Sequence, residues 1–87
     1  MGDNRDSIFI SKHAIEKIMR RFGFKEKGDA LRERVIKEIK NGRRLSIQEV
    51  MKRKLQIDTP KHFILFEKRI YILNEINCVI TAFLDKN

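Results

Sequence analysis

The strongest constraint on this chain is a change of texture near residue 60. Before it, apolar residues recur at helical spacing; after it, they gather in three short runs, HFILFE, RIYILN and CVITAFL, rich in β-branched and aromatic residues. Helical stretches followed by strands, without alternation, predict an α+β domain, not a parallel α/β sheet. The expected architecture is two or three N-terminal helices packed on a small antiparallel sheet of three to four strands. With 87 residues and no linker-like segment, the chain reads as one domain over residues 1–87.

Local signals place the elements. Ser11 reads as an N-cap, with Ile10 and Ile15 as a hydrophobic staple, so a helix starts at Lys12. Its stripe is Ala14, Ile15, Ile18, Met19 and Phe22, and it ends at Gly23. Asp29 is the expected cap of a second helix carrying Leu31, Val35, Ile36 and Ile39. Asn41-Gly42 closes that helix, with Gly42 expected in the left-handed conformation. Ser46 and Glu49 form a capping box ahead of a short third helix. Leu55 and Ile57 alternate as in a strand, and Thr59-Pro60 breaks that segment. Glu67-Lys68 is tight enough for a hairpin, Glu75, Ile76 and Asn77 join the last two strands, and residues 8–10 suit another short strand.

Composition matters mainly through charge. Twenty Lys and Arg face twelve Asp and Glu, a net +8, which attracts polyanions through counterion release. The excess is uneven: residues 1–44 hold 13 basic and 7 acidic side chains, net +6, against net +2 for residues 45–87. The lone Cys78 forms no intramolecular disulfide and reads as a small strand hydrophobe. No apolar run is long enough to span a membrane, and the polar start MGDNRDS lacks a signal-peptide pattern. A cytoplasmic protein with no membrane partner is expected. No phosphate-cradling glycine loop, nucleophile elbow or paired-cysteine site is present, so neither cofactor nor metal is expected.

One constellation suits chemistry. On the first helix His13, Lys17 and Arg21 are spaced i, i+4, i+8 opposite the apolar stripe, with Arg20 beside them. Arg grips a phosphate with two parallel hydrogen bonds, Lys adds a point charge, and His transfers protons near neutral pH. RNA cleavage without metal needs only such groups. The competing reading is a solvated basic face.

The run from Ser11 to Arg21, SKHAIEKIMRR, resembles the opening helix of small bacterial and phage domains allied to the barnase/colicin/RelE-like nucleases. Those domains begin with a His-Ala pair, carry basic residues four and eight positions after the His, and finish in a strand with an Ile-Thr step, as in Val79-Ile80-Thr81. The resemblance implies a metal-independent, toxin-type ribonuclease fold in which the helix faces a strand Ser or Thr. Its site residues here are His13, Lys17, Arg21 and Thr81, with Lys17 standing where Arg is more usual.

Further phosphate-contact candidates are Arg20, the pair Arg43-Arg44 and the cluster Lys52, Arg53 and Lys54. Tyr71, in a strand, is a candidate to stack on a base if one sheet face is open, with core packing as its alternative. The six phenylalanines default to core. The implied partner is nucleic acid, RNA before DNA. A non-catalytic regulator that binds nucleic acid or a protein (an antidote or a host target) stands beside it, as does oligomerisation through strand edges near residues 78–84.

Overall fold

Ser11 begins the first helix as its side chain predicts: its hydroxyl accepts from the Ala14 N–H at 3.0 Å. The structure, a computed structural model, describes residues 8–55 and 61–85. Along it run β1 (Phe9–Ile10), α1 (Lys12–Phe22), α2 (Gly28–Asn41), β2 (Arg43–Arg44), α3 (Ile47–Lys52), β3 (Lys61–Phe66), β4 (Arg69–Asn74) and β5 (Cys78–Leu84). Gly23 ends α1 with φ +65° and its N–H on the Met19 carbonyl, a left-handed stop that only Gly adopts cheaply. The Ser46–Glu49 capping box opens α3.

The architecture is α+β, with three helices on a sheet of order β1-β5-β4-β3-β2. Two hairpins pair β3, β4 and β5 antiparallel, with the register Ile64↔Tyr71↔Ala82 at the centre. The sheet is mixed, not purely antiparallel, and has five strands. β1 runs parallel to β5 over Phe9↔Cys78 and Ile10↔Val79, and β2 adds Arg43 and Arg44 to the far edge of β3.

Strand alternation divides the core in two. On one face, Ile64, Tyr71, Leu73, Val79 and Ala82 meet Ala14, Ile15 and Ile18 of α1 and Leu31, Val35 and Ile39 of α2. On the other, Phe63, Ile70 and Ile72 meet Leu45, which follows β2, and Val50 of α3, while Ile80 and Phe83 are only partly covered. A bulge opposite Ile72 and Leu73 lets Val79 and Ala82 both face the helices.

Three expectations are corrected, and the one for residues 55–60 lies mostly outside the described residues. Asp29 does not cap α2: Lys27 occupies that position without a side-chain bond, and Gly28 enters the helix at φ +59°. Gly42 is not left-handed (φ −81°), and it is needed for closeness instead. A Cβ there would stand 2.6 Å from Ile64 Cγ2 and 2.9 Å from the Leu65 carbonyl oxygen. Leu55 lies outside any strand, while Ile57, Thr59 and Pro60 fall outside the described residues. Tyr71 is fully buried and offers no ring to a base.

Candidate nucleic-acid interface

α1 lies along β5, with its apolar stripe on the sheet. That docking turns His13, Arg20 and Arg21 to solvent and leaves Lys17 half-buried. One helical turn, about 6 Å of rise, separates His13 from Lys17 and Lys17 from Arg21. The helix carries four cations against one carboxylate, Glu16. Among the described residues none of Lys12, Lys17, Arg20 and Arg21 is ion-paired.

Arg21 is anchored from one side. Its Nη1 donates to Thr81 Oγ1 at 3.1 Å and to the Ala82 carbonyl at 2.8 Å, and its guanidinium lies 5.1 Å from the centre of the Phe83 ring. These contacts hold the planar group still while leaving Nε and Nη2 uncommitted, the edge that takes a phosphate by two parallel bonds. Because the Thr81 oxygen accepts from Arg21, its own hydroxyl proton is free to point elsewhere. The sequence-predicted pair Arg21 and Thr81 is thus brought into contact across 60 residues, with Lys17 and His13 following along the same helix.

The other basic candidates scatter. Arg43 and Arg44 form β2, where Arg43 pairs with Glu49 at 2.8 Å and Arg44 touches His62 Nδ1. Hydrogen bonds from the Ser46 N–H and Arg43 hold the Glu49 carboxyl below its ordinary range. Arg53 is no phosphate contact: it bridges α3 to the sheet through two bonds to Asp85, at 3.1 and 3.2 Å. Lys52 and Lys54 are exposed on the α3 side. Among the described residues no group of three or more His, Cys, Asp and Glu side chains gathers as a metal site would require.

The sequence reading missed a charged network beneath α2. Glu38 is only 6% exposed, yet it receives Arg69 Nε and Nη2 at 2.8 and 2.9 Å, the Tyr71 hydroxyl at 2.5 Å and Arg34 Nε at 3.2 Å. Burial pushes the Glu38 carboxyl up, but the donors from Arg69, Tyr71 and Arg34 prevail and hold it below its ordinary value. Burial, reinforced by the Glu38 carboxylate, drives the Tyr71 phenol far upward. Phe24 takes the Arg34 guanidinium at 3.9 Å and Arg69 at 5.2 Å from its ring centre, and Glu26 grips Arg34 at 2.9 Å. This network is structural: it clamps α2 and the 23–27 loop to β4. Its signal was present, since Glu38 stands seven residues after Leu31 and next to Ile39, inside the buried stripe.

Compared with known proteins, the chain matches no family model, no curated protein and no solved structure.

Proposed function

We propose that this is a small intracellular protein that binds nucleic acid, RNA before DNA, by seating phosphates along α1. The observation that carries this reading is Arg21: an exposed residue fixed by Thr81, Ala82 and Phe83 through Nη1 and its guanidinium face, unpaired with any carboxylate, and with Nε and Nη2 uncommitted. Elsewhere Arg34, Arg43, Arg53 and Arg69 are engaged by carboxylates, whereas Lys17, Arg20 and Arg21 of α1 are among the described cations with no carboxylate partner. No helix among the described residues is long and apolar enough to cross a membrane. Binding should weaken steeply with salt, with a slope of about 0.7 per single-strand phosphate contact. Replacing Lys17 and Arg20 by Gln removes two contacts and should lower the slope by about 1.4. An unchanged slope would overturn the α1 assignment.

The free Thr81 proton favours a second step, metal-independent RNA cleavage of the RelE-like type. A phosphate seated level with Lys17 lies one turn from His13 and one from Arg21. There His13 takes the 2′-OH proton as the O2′–P bond forms, and Arg21 and Lys17 balance the charge growing on phosphorus oxygens. Thr81 donates to one of those oxygens, and the 5′-oxygen leaves with a proton from water, giving a cyclic phosphate. RNA incubated with the protein in EDTA should be cut by the wild type and spared by His13→Ala. RNA left intact by folded wild type that still binds it would reduce the activity to binding alone, the regulator reading.

A further inference from the structure

Phe9 is 61% exposed, an unusual place for a phenylalanine in a chain this small. Ile10 faces α1 and α2, so alternation along β1 turns Phe9 to the opposite face, the one α3 covers. There α3 closes over Phe63, Ile70 and Ile72 but leaves Ile80 and Phe83 partly open. The six-residue helix reaches the middle of the sheet and stops short of its β5–β1 margin. The result is a strip along that margin: Phe9 at one end, then Ile80 and Thr81, then Phe83 with Arg21 against its ring.

We infer that this strip is a stacking platform for single-stranded RNA, a deepening of the proposed function that rests on it for the phosphate contacts. Phe9 aligns with Cys78, and Phe83 lies five residues further along β5. Because the bulge sets two β5 residues against one step of β4, with Val79 opposite Leu73 and Phe83 opposite Ile70, the two positions are about four steps, or about 13–14 Å, apart along the strand, the length of roughly four stacked nucleotides. Every base has a π-face, so aromatic rings bind single strands with little sequence demand, whereas a duplex keeps its bases stacked on one another. Arg21 supplies the phosphate contact at the Phe83 end through the edge its anchors leave free. None of the strip residues is acidic, and Asp85, just beyond β5, is held by Arg53. A second copy of the chain fits less well: a net +8 repels it, and Arg21 already takes the Ala82 carbonyl that strand pairing would use.

The test is fluorescence anisotropy with a labelled single-stranded RNA of about ten nucleotides and a blunt duplex of the same sequence, on wild type, Phe9→Ala and Lys17→Gln. Phe9 contributes little to the core, so Phe9→Ala should keep the wild-type circular dichroism and urea midpoint. The single strand should bind at least tenfold more tightly than the duplex. Phe9→Ala should weaken single-strand binding about 5- to 150-fold with the salt slope unchanged, while Lys17→Gln lowers the slope. A Phe9→Ala protein that binds like wild type, or a duplex that binds as well as the single strand, overturns the platform and leaves phosphate binding by α1 standing. Absence of binding to either RNA at low salt overturns both readings. Dimerisation on size exclusion that Phe9→Ala abolishes, without RNA binding, assigns the strip to a protein partner and overturns the inference.

Discussion

Replacing Glu38 by Gln keeps the volume of the side chain and removes its charge, so it isolates what the buried carboxylate does. In the wild type that carboxylate answers two nitrogens of Arg69, the Tyr71 hydroxyl and Arg34 Nε. Gln offers one acceptor oxygen where four donors converge, and its own NH2 must face some of them. Breaking one side of a buried ion pair costs about 3–5 kcal/mol; partial exposure of the two arginines and the retained oxygen lower the expectation to roughly 2–4 kcal/mol. A domain of this length is stable by about 4–13 kcal/mol, so the loss is a large share. It should lower the melting temperature by about 8–30 °C and the urea midpoint by about 1–4 M, for a slope near 1–1.5 kcal/mol/M. Tyr71 is the only tyrosine in a chain without tryptophan, so intrinsic fluorescence reports on this network directly, with far-ultraviolet circular dichroism as the global probe. The pH sign follows from the lowered carboxyl. Its stabilisation is fully present above the ordinary Glu value of 4.5 and disappears as pH falls through the lower folded value. Glu38→Gln should therefore lose most stability at neutral pH and approach wild type in acid. A variant within about 1 kcal/mol of wild type at pH 7 would refute the account, because so small a loss is that of an ordinary neutral hydrogen bond.

The raised Tyr71 phenol has its own consequence at high pH. Its stabilisation is intact below the ordinary value of 10 and is lost only as pH rises through the folded value, so alkaline titration should show phenolate absorbance appearing together with loss of circular dichroism. Phenolate formed in a still-folded protein would show that the buried Glu38 contact is wrong. Gly42→Ala should destabilise by about 1–3 kcal/mol, since its methyl collides with Ile64 and the Leu65 carbonyl. A urea midpoint equal to wild type would mean that β2 shifts without cost.

Much of the scaffold was readable because it is written locally. Ser11, Gly23 and the Ser46–Glu49 box act within one helical turn, and β3, β4 and β5 announce themselves as short apolar runs rich in β-branched and aromatic residues. What escaped depends on distant partners. Arg43 and Arg44 have no strand character until β3 accepts them, and Phe9-Ile10 becomes a parallel strand only through Cys78 and Val79. Asp29 looked like a cap, but Gly28 turns the chain first. At the candidate site the helix ladder was legible from spacing, whereas the anchoring of Arg21 by Ala82 and Phe83 was not, since it depends on how α1 lies over β5. Tyr71 shows the reverse case: a polar ring in an apolar run found its partner, Glu38, inside the fold, which withdrew it from any surface role.

The pairing of β1 with β5 also governs the order in which the chain can fold. The β3–β4 hairpin needs only near neighbours, but α1 has no sheet to rest on until β5 arrives, and the bonds of Arg21 to Thr81 and Ala82 close loops of 60 and 61 residues. Such closures carry a large entropic cost before any contact repays it, which slows the last step of folding. During synthesis the cationic helix therefore emerges long before its docking surface and waits, exposed, until residues 78–84 clear the ribosome. The α1–β5 side of this protein is thus completed last, when the two ends of the described fold meet.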